Sequence, residues 1–80
     1  MKSEEVVTQL LFDTVARIFR KEVGSINRET SFIEDLQAKS INIVEIIAVM
    51  QDALGVEIPM AKFRRQKTLG AAIDYVLSLG

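Results

Sequence analysis

Apolar residues recur at helical spacing in three separate stretches of this 80-residue chain, and that periodicity points to a small helical fold. Positions three and four apart share one face of an α-helix, whereas positions two apart share one face of a strand. Val7, Leu10, Leu11, Val15, Ile18 and Phe19 lie on one helical face. Ile43, Ile46, Ile47, Met50 and Leu54 form a second stripe, and Leu69, Ala72, Ile73 and Val76 a third. The β-branched residues of 41–49 have the composition of a strand. They lack its period-two alternation, so the helical template fits better.

Capping signals divide these stripes into elements. Ser3 suits a helix cap, and Glu4 and Glu5 suit the positive end of a helix dipole. Arg17, Arg20 and Lys21 suit the negative end, and Gly24 marks the latest stop. The first helix is therefore expected over about residues 3–20, fraying towards Val23. Residues 24–39 read as a long loop pinned by Ile26, Phe32, Ile33 and Leu36. Ser31 and Glu34 have the spacing of a capping box, which predicts one turn inside that loop. The second helix begins at Ser40 and is closed by Gly55. Val56, Glu57 and Ile58 join it to Pro59, which can sit at or just before a helix start. The segment 60–65 is so short that it needs Phe63 anchored in the core to be helical. Thr68 caps the last helix. The expected fold is all-α: a four-helix bundle with three main helices, one short third helix and a long loop between the first two. No repeat or linker divides it, so residues 1–80 are expected to form one domain.

Composition narrows the chemistry. The chain is 49% hydrophobic and 26% charged, which is the balance of a folded domain and not of a disordered one. It has no Cys and no His. Disulfides, thiolate metal sites, thiol nucleophiles and the commonest general base are thereby excluded, so neither a metal centre nor catalysis by this chain is expected. A small Cys-free domain with no leader-like N-terminus and no long apolar run is expected in the cytoplasm, without a membrane span. The net charge of −1 conceals a basic run, Lys62, Arg64, Arg65 and Lys67. Such a run is usually a solvated face; the sharper reading is a docking surface for an acidic partner. Nucleic-acid binding would ask for a more basic chain and is not expected.

The stretch from Phe32 to Pro59 carries the functional signal. Glu34-Asp35-Leu36 precedes Lys39-Ser40-Ile41, Val44-Glu45 follows on the second helix, and Gly55-Val56-Glu57-Ile58-Pro59 closes it. Thr68-Leu69 and Ala71 to Val76 follow in the same order. This series resembles the acyl carrier protein family over nearly the whole chain. Read alone, Ser40 is an ordinary N-cap, worth about 1 kcal/mol. The resemblance implies instead that Ser40 is where a transferase attaches 4′-phosphopantetheine from coenzyme A. The arm's thiol would then carry acyl groups as thioesters for fatty-acid, polyketide or specialised lipid synthesis. A phosphate at that position would meet the free N–H groups of a helix N-terminus.

The resemblance also implies partners and a cargo space. A phosphopantetheinyl transferase and the enzymes of acyl-chain synthesis and transfer would dock on the second helix, and the carrier is expected to act as a monomer. The stripe leaves Ile41, Val44, Glu45, Ala48, Gln51 and Asp52 facing outward, although Val44 fits an exposed or a core position equally. Lys39, Lys62, Arg64 and Arg65 complete the candidate recognition surface. Ile43, Ile46, Ile47, Met50, Ile58, Phe63, Leu69 and Ile73 are candidates to line a pocket for the acyl chain, or simply to pack the core. Two features depart from the family: Lys39 stands where an Asp is usual, and the short third helix is basic. Two other readings stay open on these grounds, a peptidyl or aminoacyl carrier and an unmodified helical interaction module. The former relatives typically have Gly-Gly ahead of the serine, where this chain has Leu36-Gln37-Ala38-Lys39.

Overall fold

Ser3 caps the first helix, its hydroxyl accepting the Val6 N–H at 3.1 Å. In the computed structural model, which describes residues 3–79, helix α1 runs Glu4–Phe19, α2 Ser40–Leu54, α3 Met60–Phe63 and α4 Leu69–Leu79. Met1, Lys2 and Gly80, the ends of the expected 1–80 domain, lie outside the described residues. The described residues contain four α-helices and no strand, which is the all-α arrangement expected. Helix α1 packs against both α2 and α4. Val7, Leu11, Val15, Ile46, Met50, Leu69 and Ile73 are fully buried at the centre of one core cluster.

Helix α1 ends before Gly24. Arg20 takes a left-handed conformation (φ 57°), and the N–H groups of Arg20 and Lys21 both turn back to the Ala16 carbonyl. Gly24 instead lies in a 3-10 turn, Val23–Ser25. The buried face of α1 also includes Thr14, whose hydroxyl donates to the Leu10 carbonyl at 2.7 Å. That local bond removes the penalty of burying a hydroxyl and leaves its methyl free to pack.

The long loop is held by backbone bonds to the start of α4. Phe32 N–H donates to the Lys67 carbonyl at 3.1 Å, Leu69 N–H to the Thr30 carbonyl at 3.0 Å and Gly70 N–H to the Arg28 carbonyl at 2.8 Å. Ser31 and Thr68 form an isolated antiparallel bridge. The bonds from Leu69 and Gly70 satisfy N–H groups that every helix start leaves without an intrahelical partner. Thr68 supplies the cap expected of it, accepting the Ala71 N–H at 3.2 Å.

Ile26, Phe32 and Leu36 are buried as the loop's pins, but Ile33 is not a pin: it is 70% exposed. The turn at 31–36 points it outward while Phe32 goes into the core. That turn is capped as its spacing suggests on one side only. Glu34 N–H donates to Ser31 Oγ at 3.0 Å, whereas the carboxylate that accepts the Ser31 N–H, at 2.6 Å, belongs to Asp35 and not to Glu34. Gln51 also departs from its outward placement. It is half-buried, and its side-chain oxygen accepts the Ile58 N–H at 2.8 Å, fastening the joint after α2. Gly55 ends α2 at φ 69°, a conformation that favours glycine. Phe63 is 1% exposed, so the four-residue α3 has the anchor it requires.

Candidate functional site

Ser40 is the first residue of α2, and its cap is Lys39. It is therefore not itself the N-cap that its place in the sequence suggested. Lysine carries no acceptor, so this cap leaves the helix start half-served. Asn42 Oδ1 accepts the Lys39 N–H at 2.9 Å, and the Lys39 carbonyl accepts from Asn42 and Ile43 at 2.9 and 3.1 Å. The Ser40 and Ile41 N–H groups have no protein acceptor among the described residues. Nor does the Ser40 hydroxyl make a hydrogen bond there, and the residue is exposed. A free hydroxyl thus stands at a helix mouth with two unused donors beside it, a geometry that favours an anionic phosphate.

The approach to α2 is shaped by Gln37, which adopts φ 52° and reverses the chain out of the loop turn. Ala38 N–H then bonds the Phe32 carbonyl at 2.8 Å. Next to Ser40 opens a groove of about 170 Å³. Phe32, Ile43 and Phe63 form its apolar floor, and the two rings meet edge to face at 6.0 Å. Lys39, Arg64 and Lys67 stand at its rim. Of the residues expected to enclose an acyl chain, Ile43 and Phe63 line this groove. Ile46, Ile47, Met50, Ile58, Leu69 and Ile73 are buried in the core behind it. Phe32, Ile33, Ala38 and Gln66 complete the lining and lie outside the expected set. Phe32 pins the loop, as its sequence context predicts, and its meeting with Phe63 makes it part of the groove as well.

The outer face of α2 presents Ile41 (72% exposed), Val44 (47% exposed), Glu45, Ala48 and Asp52. Val44, open between core and surface in the sequence, is on the surface. Lys62, Arg64 and Arg65 are exposed on α3 and just after it. Among the described residues the ion pairs involve Arg28 with Glu4 and Asp74, so none of these basic residues is paired. No group of His, Cys, Asp and Glu among the described residues has the arrangement of a metal site, and no described helix is long and apolar enough to cross a membrane.

Comparison with known proteins decides the family. The family model described as the phosphopantetheine attachment site matches residues 9–76. The chain belongs to the acyl carrier protein family. It is 38% identical to the acyl carrier protein of Lactobacillus acidophilus over 76 residues, 95% of each chain. It is 35% identical to that of Rubrobacter xylanophilus, covering 96% of this chain and 94% of the relative. The solved structure of the acyl carrier protein from Enterococcus faecalis superposes with a TM-score of 0.83 at 28% identity, covering 99% of this carrier and 100% of that chain. The cofactor of the family is a covalently attached 4′-phosphopantetheine. The residues of this carrier fit such a group: an exposed hydroxyl, free N–H donors, and a groove lined by cations with no carboxylate among its walls.

Proposed function

We propose that Ser40 is the attachment residue and that this carrier delivers acyl groups, held as thioesters, to the enzymes of fatty-acid, polyketide or specialised lipid synthesis. The observation that carries the reading is the exposed, unbonded Ser40 hydroxyl at the first position of α2, inside a family match that spans most of the chain. On a transferase, Ser40 Oγ attacks the pantetheine-bearing phosphorus of coenzyme A. The Oγ–P bond forms, the pyrophosphate P–O bond breaks, the adenosine bisphosphate leaves, and the serine proton passes to a base of the transferase. When attached, the arm supplies a terminal thiol. The carrier's own residues supply the rest. The Ser40 and Ile41 N–H groups face the resulting phosphodiester, and Lys39 places a positive charge beside it.

Partner enzymes recognise the exposed face of α2 and its border with α3. Ile41, Val44 and Ala48 form an apolar patch with Glu45 and Asp52 on its rim. Lys39, Lys62, Arg64 and Arg65 give the opposite border a positive charge, which suits partners with acidic docking surfaces. The chain acts as a single, monomeric carrier domain in the cytoplasm and is not an enzyme, since catalysis belongs to the proteins it visits. An acyl cargo is favoured over an aminoacyl one by Leu36-Gln37-Ala38-Lys39 ahead of the serine. Loading assays with fatty-acyl and aminoacyl donors test this. Acyl transfer that disappears in Ser40→Ala supports it; aminoacyl loading alone, or loading that survives the substitution, contradicts it.

A further inference from the structure

We propose that the groove beside Ser40 selects a short acyl cargo ending in a free carboxylate. The inference rests on the reading that Ser40 carries the arm, because the arm is what brings cargo to the groove. The groove has an apolar floor of Phe32, Ile43 and Phe63 and a rim of Lys39, Arg64 and Lys67. Its lining holds three cations and no acid, in a chain whose net charge is −1. Among the described residues none of the three forms an ion pair. A phosphodiester on Ser40 brings a single negative charge, and Lys39, its chain neighbour, is the cation placed to meet it. Arg64 and Lys67 are then left without a counter-charge.

An acyl chain that folds back from the arm buries its methylenes in the groove, where Ile33 and Ala38 flank the floor of Phe32, Ile43 and Phe63. A terminal methyl gains nothing further at the rim. A terminal carboxylate reaches Arg64 and Lys67, and the planar guanidinium of Arg64 can hold it with two parallel hydrogen bonds. The size agrees with a short chain. About 170 Å³ lies below the roughly 300–1,000 Å³ of pockets that enclose drug-sized ligands. The wall positions are fixed by bonds that do not involve the cationic heads. Phe32 N–H bonds the Lys67 carbonyl at 3.1 Å, and Gln66 Nε2 donates to the Lys62 carbonyl at 2.9 Å. The side chains of Arg64 and Lys67 can therefore be changed without dismantling the groove.

The test compares the modified protein loaded with a hexanoyl chain and with an adipoyl chain, which differ in the terminal group. Nuclear magnetic resonance follows the Ile43 and Phe63 signals in each. In the adipoyl form these signals should shift towards a docked state whose population falls about three- to fivefold in R64Q/K67Q and at high salt, a modest factor because the rim is exposed. The hexanoyl form should respond to neither change. Equal shifts for both chains, or adipoyl shifts that survive R64Q/K67Q, overturn the inference and leave the carrier reading intact. A protein that never gains the arm on Ser40 overturns both.

Discussion

The Arg28 carbonyl oxygen accepts the Gly70 N–H at 2.8 Å and stands 2.9 Å from the point where a Gly70 side chain would begin. One loop residue and one helix residue thereby fix how closely the long loop approaches α4. The Arg28 side chain reinforces the approach, donating to both Asp74 oxygens at 3.0 and 2.9 Å and to the Gly70 carbonyl at 3.3 Å. The same loop runs on to Ser40, so this contact positions the functional end of α2.

Gly70→Ala should destabilise the fold. Alanine favours helix over glycine by about 1 kcal/mol in an interior position. Here the new methyl meets the Arg28 backbone oxygen and Cβ, both at 2.9 Å, so the chain must move. Overpacking of this kind costs about 1–3 kcal/mol. Set against the propensity gain, a net loss of up to about 2 kcal/mol remains, and each 1 kcal/mol lowers Tm by about 4–8 °C in a domain this small. An unchanged or raised Tm in thermal denaturation would show that the loop yields freely.

Two left-handed positions should respond in opposite senses. At Gly55 (φ 69°) an added Cβ meets nothing within 4 Å, so Gly55→Ala exposes the backbone strain alone, about 1 kcal/mol of destabilisation. Gln37 (φ 52°) bears that strain already. Gln37→Gly should relieve it and gain about 0.5 kcal/mol, the remainder being lost to the freer unfolded chain. Urea denaturation of the two variants checks both signs, and shifts in the same direction would contradict the account.

Phe63 anchors a helix of four residues. Phe63→Ala should cost about 3–5 kcal/mol, a large part of the stability of a small domain. Phe63→Leu keeps most of the volume and should cost much less. Hydrogen exchange provides the finer check. Amides of residues 63–66 should lose protection in Phe63→Leu before those of α1, and uniform loss would mean that α3 is not held by this ring.

Lys39 places a positive charge next to the proposed attachment oxygen, where the family usually has an acid. Lys39→Asp should raise kcat/KM several-fold with a transferase that serves Asp-bearing carriers, and the gain should shrink with added salt. Equal rates for the two proteins would show that this position does not govern recognition.

The helices were largely legible because each is long enough to repeat its apolar spacing, and Gly55 and Thr68 mark their ends by chemistry that acts locally. The loop was not. Ile33 is a lone apolar residue in a turn, where no periodicity says which way it points, and it faces solvent. Arg28 and Gly70 are 42 positions apart, so no local pattern links them. The first helix does end near residue 20 as expected, ahead of Gly24, but only the fold shows that the left-handed turn falls on Arg20, where the backbone bonds to Ala16 close. Ser40 was legible as the candidate anchor from its neighbours in order. That its hydroxyl is free of capping, because the cap position is Lys39, emerges only from the folded chain.

The most direct test is the intact mass of the protein after incubation with coenzyme A and a broad-specificity phosphopantetheinyl transferase, beside Ser40→Ala. The account predicts a gain of one phosphopantetheine in the unaltered protein, mapped to the peptide holding Ser40, and no gain in the variant. An unchanged mass with every transferase tried, or an arm found on another side chain, would contradict it.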